Sequence, residues 1–187
     1  MVTPLARALR GIDAANAADP TIEASQPAAL LYGQRMSAEL ERLVPDASEM
    51  LQIAARGQHV ERWLLPRSDF PEGREGYLEW RREQARRHAR RVGQIMAEAG
   101  YRADDIVRAG QLLRKEGIKR DAEVQALEDV ICFVFLRHYF APFAATQSPE
   151  ALLKIVQRTA RKMSAEGRAR VLAEFDLPEP FAAAFRD

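Results

Sequence analysis

The sequence lacks several features that would point directly to a class of protein. It has one cysteine in 187 residues, Cys132, which excludes an intramolecular disulfide and suits a reducing compartment. It has no glycine-rich phosphate loop, no Gly-x-Ser-x-Gly elbow and no Cys-x-x-Cys pair. Flavin, nicotinamide and nucleophile-based chemistry therefore have no visible support. The most apolar run, residues 130–136, is far shorter than the roughly 20 residues needed to span a bilayer.

An excess of charge of one sign is also missing. Lysine and arginine number 28 and aspartate and glutamate 27, a formal net charge of +1, so no global field draws the chain to nucleic acid or to a membrane. The first residues contain no apolar segment of signal-peptide length. We expect a cytoplasmic protein of one domain over residues 1–187, with a core over about residues 3–175 and a short C-terminal helix or tail over 176–187. The oligomeric state stays open.

Helical periodicity is what the sequence does contain. Apolar residues recur every three or four positions in successive segments, which predicts an all-α fold. We expect the third helix to begin at Asp46 and to end at Pro66, because a residue before proline is pushed out of the helical region. His59, Arg62 and Trp63 would then lie together at the C-terminal end of that helix.

Two later helices are also predicted. The fourth carries an inward stripe that starts at Tyr77, includes Gln84 and His88 and runs to Ala99, and Gly100 closes the helix. The sixth begins at Asp121, and its second half, residues 130–136, is apolar all round. A buried strand remains an alternative for that half, but the helical period continues on both sides of it.

Three residues on separate predicted helices form a candidate metal site. His59, His88 and Asp129 supply two imidazoles and a carboxylate, a common ligand set for a divalent ion such as manganese, zinc, iron or magnesium. A buried polar network is the alternative, with Asp129 accepting hydrogen bonds from Arg62, His88 or Trp63. Sequence spacing does not choose between them.

Other residues around His59 suit an anionic ligand. Arg56, Arg62 and Arg67 are candidates to hold a phosphate or carboxylate. A base could stack on Trp63, Tyr77 or Trp80, and the alternative is that the arginines only solvate helix faces and pair with nearby glutamates. Six arginines within residues 81–91 are the best argument for a nucleic-acid partner. Because the net charge is near zero, this function ranks third, after hydrolysis of a phosphate ester and binding of a small anion.

The order of several motifs resembles a degenerate HD-type phosphohydrolase. These are Leu-Tyr-Gly-Gln-Arg-Met over 31–36, Ile-Ala-Ala-Arg-Gly-Gln-His over 53–59, His88 with Ile-Met-Ala-Glu-Ala-Gly over 95–100, and Leu-Glu-Asp over 127–129. The resemblance implies an HD-like helical bundle that holds metal, with His59 as the histidine of the His-Asp doublet and Asp129 as the late aspartate. Val60 stands where the doublet's aspartate belongs, and Tyr32 stands roughly where a first histidine is expected.

A second resemblance covers nearly the whole chain and is to family 4202 of the domains of unknown function. It rests on Ile-Asp-Ala-Ala-Asn over 12–16, Gln-His-Val-Glu-Arg-Trp over 58–63, Gly-Tyr-Leu-Glu-Trp-Arg over 76–81, Leu-Arg-Lys-Glu over 113–116 and Leu-Glu-Asp-Val over 127–130. Some members carry a glutamyl-tRNA synthetase-like label. The all-helical pattern here offers no nucleotide-binding fold that would match this label.

Two hypotheses of different classes follow. The leading one is metal-assisted hydrolysis of a phosphate ester, with metal on His59, His88 and Asp129 and with Glu116 and Glu128 as extra ligands or a general base. The rival is a non-catalytic protein that binds an anionic ligand at the same site without metal.

Overall fold

The computed structural model describes residues 2–186 and confirms the all-α prediction. The chain forms two compact units, one ending at Glu116 and the other beginning at Gly117, and each is described by itself. The prediction of one domain over the whole chain stays a prediction. Among the described helices, none combines the length and apolar character needed to cross a membrane.

The first unit contains five α-helices within residues 2–116. They are α1 (Pro4–Asn16), α2 (Ala28–Leu43), α3 (Glu49–Arg56), α4 (Gly73–Ala99) and α5 (Ala103–Leu113). A two-stranded antiparallel hairpin, β1 (Ile22–Glu23) and β2 (Gln26–Pro27), connects α1 to α2. Two short 3-10 helices, Arg62–Leu64 and Arg67–Asp69, lie between α3 and α4.

The long helix α4 is the central element of this unit. It packs against α1 and α5, while α3 packs against α1, α2 and α5. The residues that fill this core are apolar and fully buried: Ile12, Met36, Ile53, Val92, Met96 and Leu112. Gly100 ends α4 as predicted, with a φ of 96° that glycine adopts at little cost.

The predicted start of the third helix was wrong by two residues. Ser48, not Asp46, is the N-cap, and its hydroxyl accepts a hydrogen bond from the backbone N–H of Leu51 at 3.2 Å. The predicted position of Tyr77 on the inward stripe of α4 was also wrong. Tyr77 is 44% exposed. Apart from Gly76, the residues of α4 are buried only from Gln84 onward.

The second unit contains the remaining helices of the described chain. They are α6 (Ala122–Val134), which continues as a π-helix (Phe135–Tyr139), then α7 (Phe140–Ala144), α8 (Pro149–Lys162), α9 (Ala165–Glu174) and α10 (Glu179–Arg186). Asp121 caps α6, Ser148 caps α8 and Ser164 caps α9, each through a side-chain oxygen. The apolar half of α6 is helical, so the strand alternative is excluded.

Gly57 allows the chain after α3 to lie directly against α4. A Cβ at this position would be 2.5 Å from Cγ2 of Val92, which is closer than real Cβ atoms approach. We expect Gly57→Ala to lower the free energy of unfolding by about 1–3 kcal/mol, because the added methyl overpacks a filled core. Urea denaturation measures this change.

The double variant Gly57→Ala/Val92→Ala is the control for that mechanism. Removing the two methyl groups of Val92 makes room for the new one, so the double variant should lose less stability than the sum of the two single changes. Strict additivity would contradict the steric account.

Candidate functional site

His59 lies in a turn and not at the end of a helix. The prediction that α3 runs to Pro66 was wrong, because the helix ends at Arg56 with Gly57 as its C-cap. A helix that continued as far as Pro66 would also have to pass Glu61, whose φ of 51° is left-handed and not helical. That conformation is held by two contacts: the Glu61 N–H donates to Oδ1 of Asn16 at 3.1 Å, and its carboxylate accepts from Nε of Arg91 at 3.0 Å.

The turn places the His59 ring between two other rings. Its ring stacks on Tyr32, with centroids 3.7 Å apart and planes 9° from parallel. The His88 ring is tilted against it at a centroid distance of 6.4 Å. Burial lowers the pKa of His59 well below its usual value, and the positive charges of Arg62, Arg81 and Lys115 lower it further. His59 is therefore uncharged at neutral pH.

His88 is a buried, uncharged histidine on the inner face of α4. Its side chain is 4% exposed. Burial, followed by Arg62, Arg87 and Arg81, lowers its pKa to about 3. Its Nε2 atom is buried and has no hydrogen-bond partner among residues 2–186. The rings of His59 and His88 lie close together, and both are surrounded by positive charge.

Arg62 is a cation without an anionic partner in the described chain. The 3-10 helix that follows the His59 turn positions its guanidinium 4.5 Å from the centroid of the Trp80 ring, a cation–π contact. Burial and the neighbouring Arg81 lower the pKa of Arg62. Arg81 donates to the hydroxyl of Tyr77 at 3.3 Å, and neither arginine forms an ion pair with a carboxylate of residues 2–186.

These side chains together form what we call the cationic histidine cluster. It comprises Tyr32, His59, Arg62, Tyr77, Trp80, Arg81, Gln84 and His88. Four buried polar atoms around it have no hydrogen-bond partner in the described chain. They are Nδ2 of Asn16, Oε1 of Gln58, Oε1 of Gln84 and Nε2 of His88.

The other predicted ligand-binding residues make structural contacts. Arg56 forms a two-bond ion pair with Asp13, with both N–O distances 2.7 Å. Arg67 donates to the backbone carbonyls of residues 70, 71 and 73 and so closes the loop before α4. Trp63 is half-buried and makes no ring contact or hydrogen bond through its side chain with the rest of the described chain. Their predicted role in ligand binding stays a prediction.

The three predicted carboxylates have separate surroundings. Glu116 is exposed and accepts from Nε of Arg114 at 2.6 Å. In the second unit, Glu128 is 2% exposed and lies 4.0 Å from Nζ of Lys162. Asp129 accepts from the backbone N–H and the hydroxyl of Ser164, at 2.8 and 2.5 Å. These bonds position Ser164, the N-cap of α9. Asp129 also accepts from Nε2 of Gln125 at 3.1 Å, so Ser164 and Gln125 take the place of the predicted partners Arg62, His88 and Trp63.

The cluster suits an anion better than a cation. Within residues 2–186, no three side chains of His, Cys, Asp or Glu are grouped so that they could hold one metal ion. Burial, and then the positive charges beside them, keep His59 and His88 uncharged, and the same positive charges oppose a bound cation. The predicted metal role of His59, His88 and Asp129 stays a prediction without geometric support.

The sequence prediction placed Gln84 on the inward stripe without a functional role, and Arg81 entered it only as one of the six arginines over residues 81–91. A signal for Gln84 was present. Trp80, Gln84 and His88 are spaced by four residues, so they share one face of α4. What the sequence could not show is which segment faces them, because the 3-10 helix at Arg62 depends on tertiary contacts.

The fold and the site define an all-α protein with a positively charged, histidine-containing cluster in its first unit. The chain belongs to the family described as a domain of unknown function, DUF4202, whose model matches residues 6–184. The resemblance seen over the motifs of that family is therefore confirmed, while the resemblance to HD-type phosphohydrolases is not shown. Neither a curated protein nor a solved structure matches the chain.

The low pKa of His88 predicts that acid destabilises the protein. An unfolded histidine binds a proton below pH ~6.5, whereas His88 in the folded chain does so only near pH 3. The unfolded state therefore binds more protons between these values. Stability should fall as pH decreases through this window, by up to ~1.4 kcal/mol per pH unit for His88.

Urea denaturation of the His88→Gln variant at a series of pH values tests this expectation. The variant should lose the part of the slope that His88 contributes. Gln94→Ala, at an exposed and non-titratable position of the same helix, is the control and should keep the full slope. An unchanged slope in His88→Gln would show that this imidazole does not control acid stability.

Asp129 gives a further prediction, because its three hydrogen bonds support the cap of α9. Asp129→Ala should lower the free energy of unfolding by about 2 kcal/mol, since bonds to a charged acceptor are lost. The exposed Asp176→Ala should change it by less than about 0.5 kcal/mol.

Metal content measured by mass spectrometry after loading with manganese, zinc and iron separates this role from a metal-binding one. We expect wild type and Asp129→Ala to have the same content. Stoichiometric metal in wild type that disappears in the variant would make Asp129 a ligand.

Proposed function

We propose that this protein binds a small anionic ligand, of the phosphate or phosphorylated class, at the cationic histidine cluster. The observation that carries the proposal is Arg62, a largely desolvated guanidinium that has no carboxylate partner among residues 2–186 and lies beside a second arginine, Arg81. Both arginines would contact the same anion.

Electrostatics support this assignment. Two like charges in a partly desolvated environment raise each other's energy, and the pKa of Arg62 is lowered first by burial and then by this repulsion. An anion placed between them would remove the repulsion and accept charge-assisted hydrogen bonds from both forks. A planar guanidinium fork matches a phosphate or carboxylate in two-bond geometry.

The two imidazoles add polar, uncharged groups to the same site. Because the pKa values of His59 and His88 are both lowered, neither has to be protonated or deprotonated for the anion to bind near neutral pH. The affinity for sulfate should therefore be nearly constant between about pH 5.5 and 7.5, because sulfate itself does not titrate in this range.

Metal-assisted hydrolysis of a phosphate ester stays a prediction from the sequence. It needs a metal site, and no group of three ligand side chains exists within residues 2–186. Binding requires only the arginines and rings that are already in contact, so it is the function that the geometry supports best.

The test of the proposal is anion-dependent stabilisation. Inorganic phosphate should raise the Tm of the wild-type protein in a concentration-dependent manner, because a ligand that binds only the folded state stabilises it. Arg62→Met and Arg81→Met should each weaken phosphate affinity about tenfold or more by titration calorimetry, since each removes one charged donor and keeps the apolar stem.

Arg82→Met is the matched control. Arg82 is the next residue on α4, is exposed, and lies outside the cluster. Its substitution should leave phosphate affinity within about twofold of wild type. Equal losses in Arg81→Met and Arg82→Met would mean that phosphate binds to the general charge of the helix. No effect of phosphate on wild type would overturn the proposal.

A further inference from the structure

Exposed apolar side chains are concentrated in the two segments that carry Arg62 and Arg81. Six large apolar or aromatic side chains of the described chain are exposed, and three of them are Leu64, Tyr77 and Leu78. Leu64 belongs to the 3-10 helix that begins with Arg62, and Tyr77 and Leu78 precede Arg81 by four and three residues on α4. Exposed apolar side chains that gather at one place mark a binding surface, whereas single scattered ones need no explanation.

Trp80 is fixed in place and partly covered. Its Nε1 donates to the carbonyl of Leu65 at 2.9 Å, and the guanidinium of Arg62 lies 4.5 Å from its ring centroid. The side chain of Trp80 is half-buried. This ring is therefore a support on which Arg62 lies, and it is not the open part of the surface.

Tyr77 provides the open ring. The residue is 44% exposed, and its ring centroid is 5.9 Å from that of Trp80, with the planes tilted by 43°. Nη1 of Arg81 donates to the Tyr77 hydroxyl at 3.3 Å, and Cζ of Arg81 is 6.0 Å from the ring centroid. The Tyr77 ring is therefore held beside the second arginine of the anion site while it stays accessible from solvent.

The substituent on a bound phosphate would begin close to this ring. Arg81 contacts Tyr77, so a phosphate that Arg81 holds has the open ring as its neighbour. A polar substituent would leave the exposed apolar surface in water, whereas an apolar ring would cover it and gain from its burial. An aromatic ring would gain more, because it also stacks on the tyrosine.

We infer that the anion bound at the cationic histidine cluster is a phosphate ester of a small aromatic alcohol, whose phosphate contacts Arg62 and Arg81 and whose ring packs on Tyr77. The inference rests on the proposed function and adds the part of the ligand that the arginines do not contact. Because Tyr77 is exposed in the ligand-free chain, the aromatic ring binds without displacing any hydrogen bond of the 62–65 segment.

Three phosphate esters of different substituents test the inference on the wild-type protein. Phenyl phosphate has an aromatic ring, cyclohexyl phosphate has an apolar ring without π electrons, and glycerol 2-phosphate has a polar substituent. Titration calorimetry should show phenyl phosphate binding about tenfold or more tightly than glycerol 2-phosphate, with cyclohexyl phosphate between the two. Equal affinities of the phenyl and cyclohexyl esters would overturn the assignment of an aromatic ring.

Variants of Tyr77 test the assigned residue. Tyr77→Ala removes the ring and should abolish the preference for phenyl phosphate, while glycerol 2-phosphate affinity should stay within about threefold of wild type. Tyr77→Phe retains the ring and should retain the preference. Val107→Ala is the matched control, because Val107 is an apolar residue of α5 that is 55% exposed, and it should retain the preference. A preference that survives in Tyr77→Ala would overturn the inference.

The failure of this inference is distinguishable from the failure of the proposed function. If inorganic phosphate and all three esters bind equally, the anion site stands and the aromatic ring is overturned. If neither phosphate nor any ester binds, the proposed function fails first. A phosphotyrosine-containing peptide that binds at least tenfold more tightly than phenyl phosphate would replace the small ester with a peptide partner.

Discussion

The contact between the His59 turn and α4 is the constraint on which the rest of the site depends. Gly57 allows the backbone to approach Val92, and Glu61 adopts a left-handed conformation that Asn16 and Arg91 hold in place. The chain that leaves this turn carries Arg62 over Trp80. A positive charge is thereby brought close to the imidazoles of His59 and His88, whose pKa values are lowered first by burial and further by this charge.

This arrangement explains why the cluster is costly without a ligand. Arg62 is largely desolvated and repelled by Arg81, and buried polar atoms of Gln84 and His88 have no partner in the described chain. Such features lower stability, and proteins retain them where function requires them. The positive charge around the two histidines also changes their predicted role, because it disfavours a metal ion and favours an anion.

The sequence predicted the helices and their caps well because these depend on local chemistry. Asp121 caps α6 and Gly100 ends α4, both as expected. The site was predicted only in part. Its two histidines were named together, but the helix through His59 was wrong, because the left-handed Glu61 is stabilised by residues far away in the chain. The contacts of Asp129 with Ser164 were missed for the same reason, since the cap of α9 is 35 residues further on.

A crystal structure of the protein soaked with tungstate, a phosphate analogue with a strong anomalous signal, tests the central claim most directly. The account predicts one strong anomalous peak within hydrogen-bond distance of the guanidinium groups of Arg62 and Arg81. Anomalous peaks only along the exposed arginines of α4, such as Arg82 and Arg90, or no peak in the first unit, would contradict it.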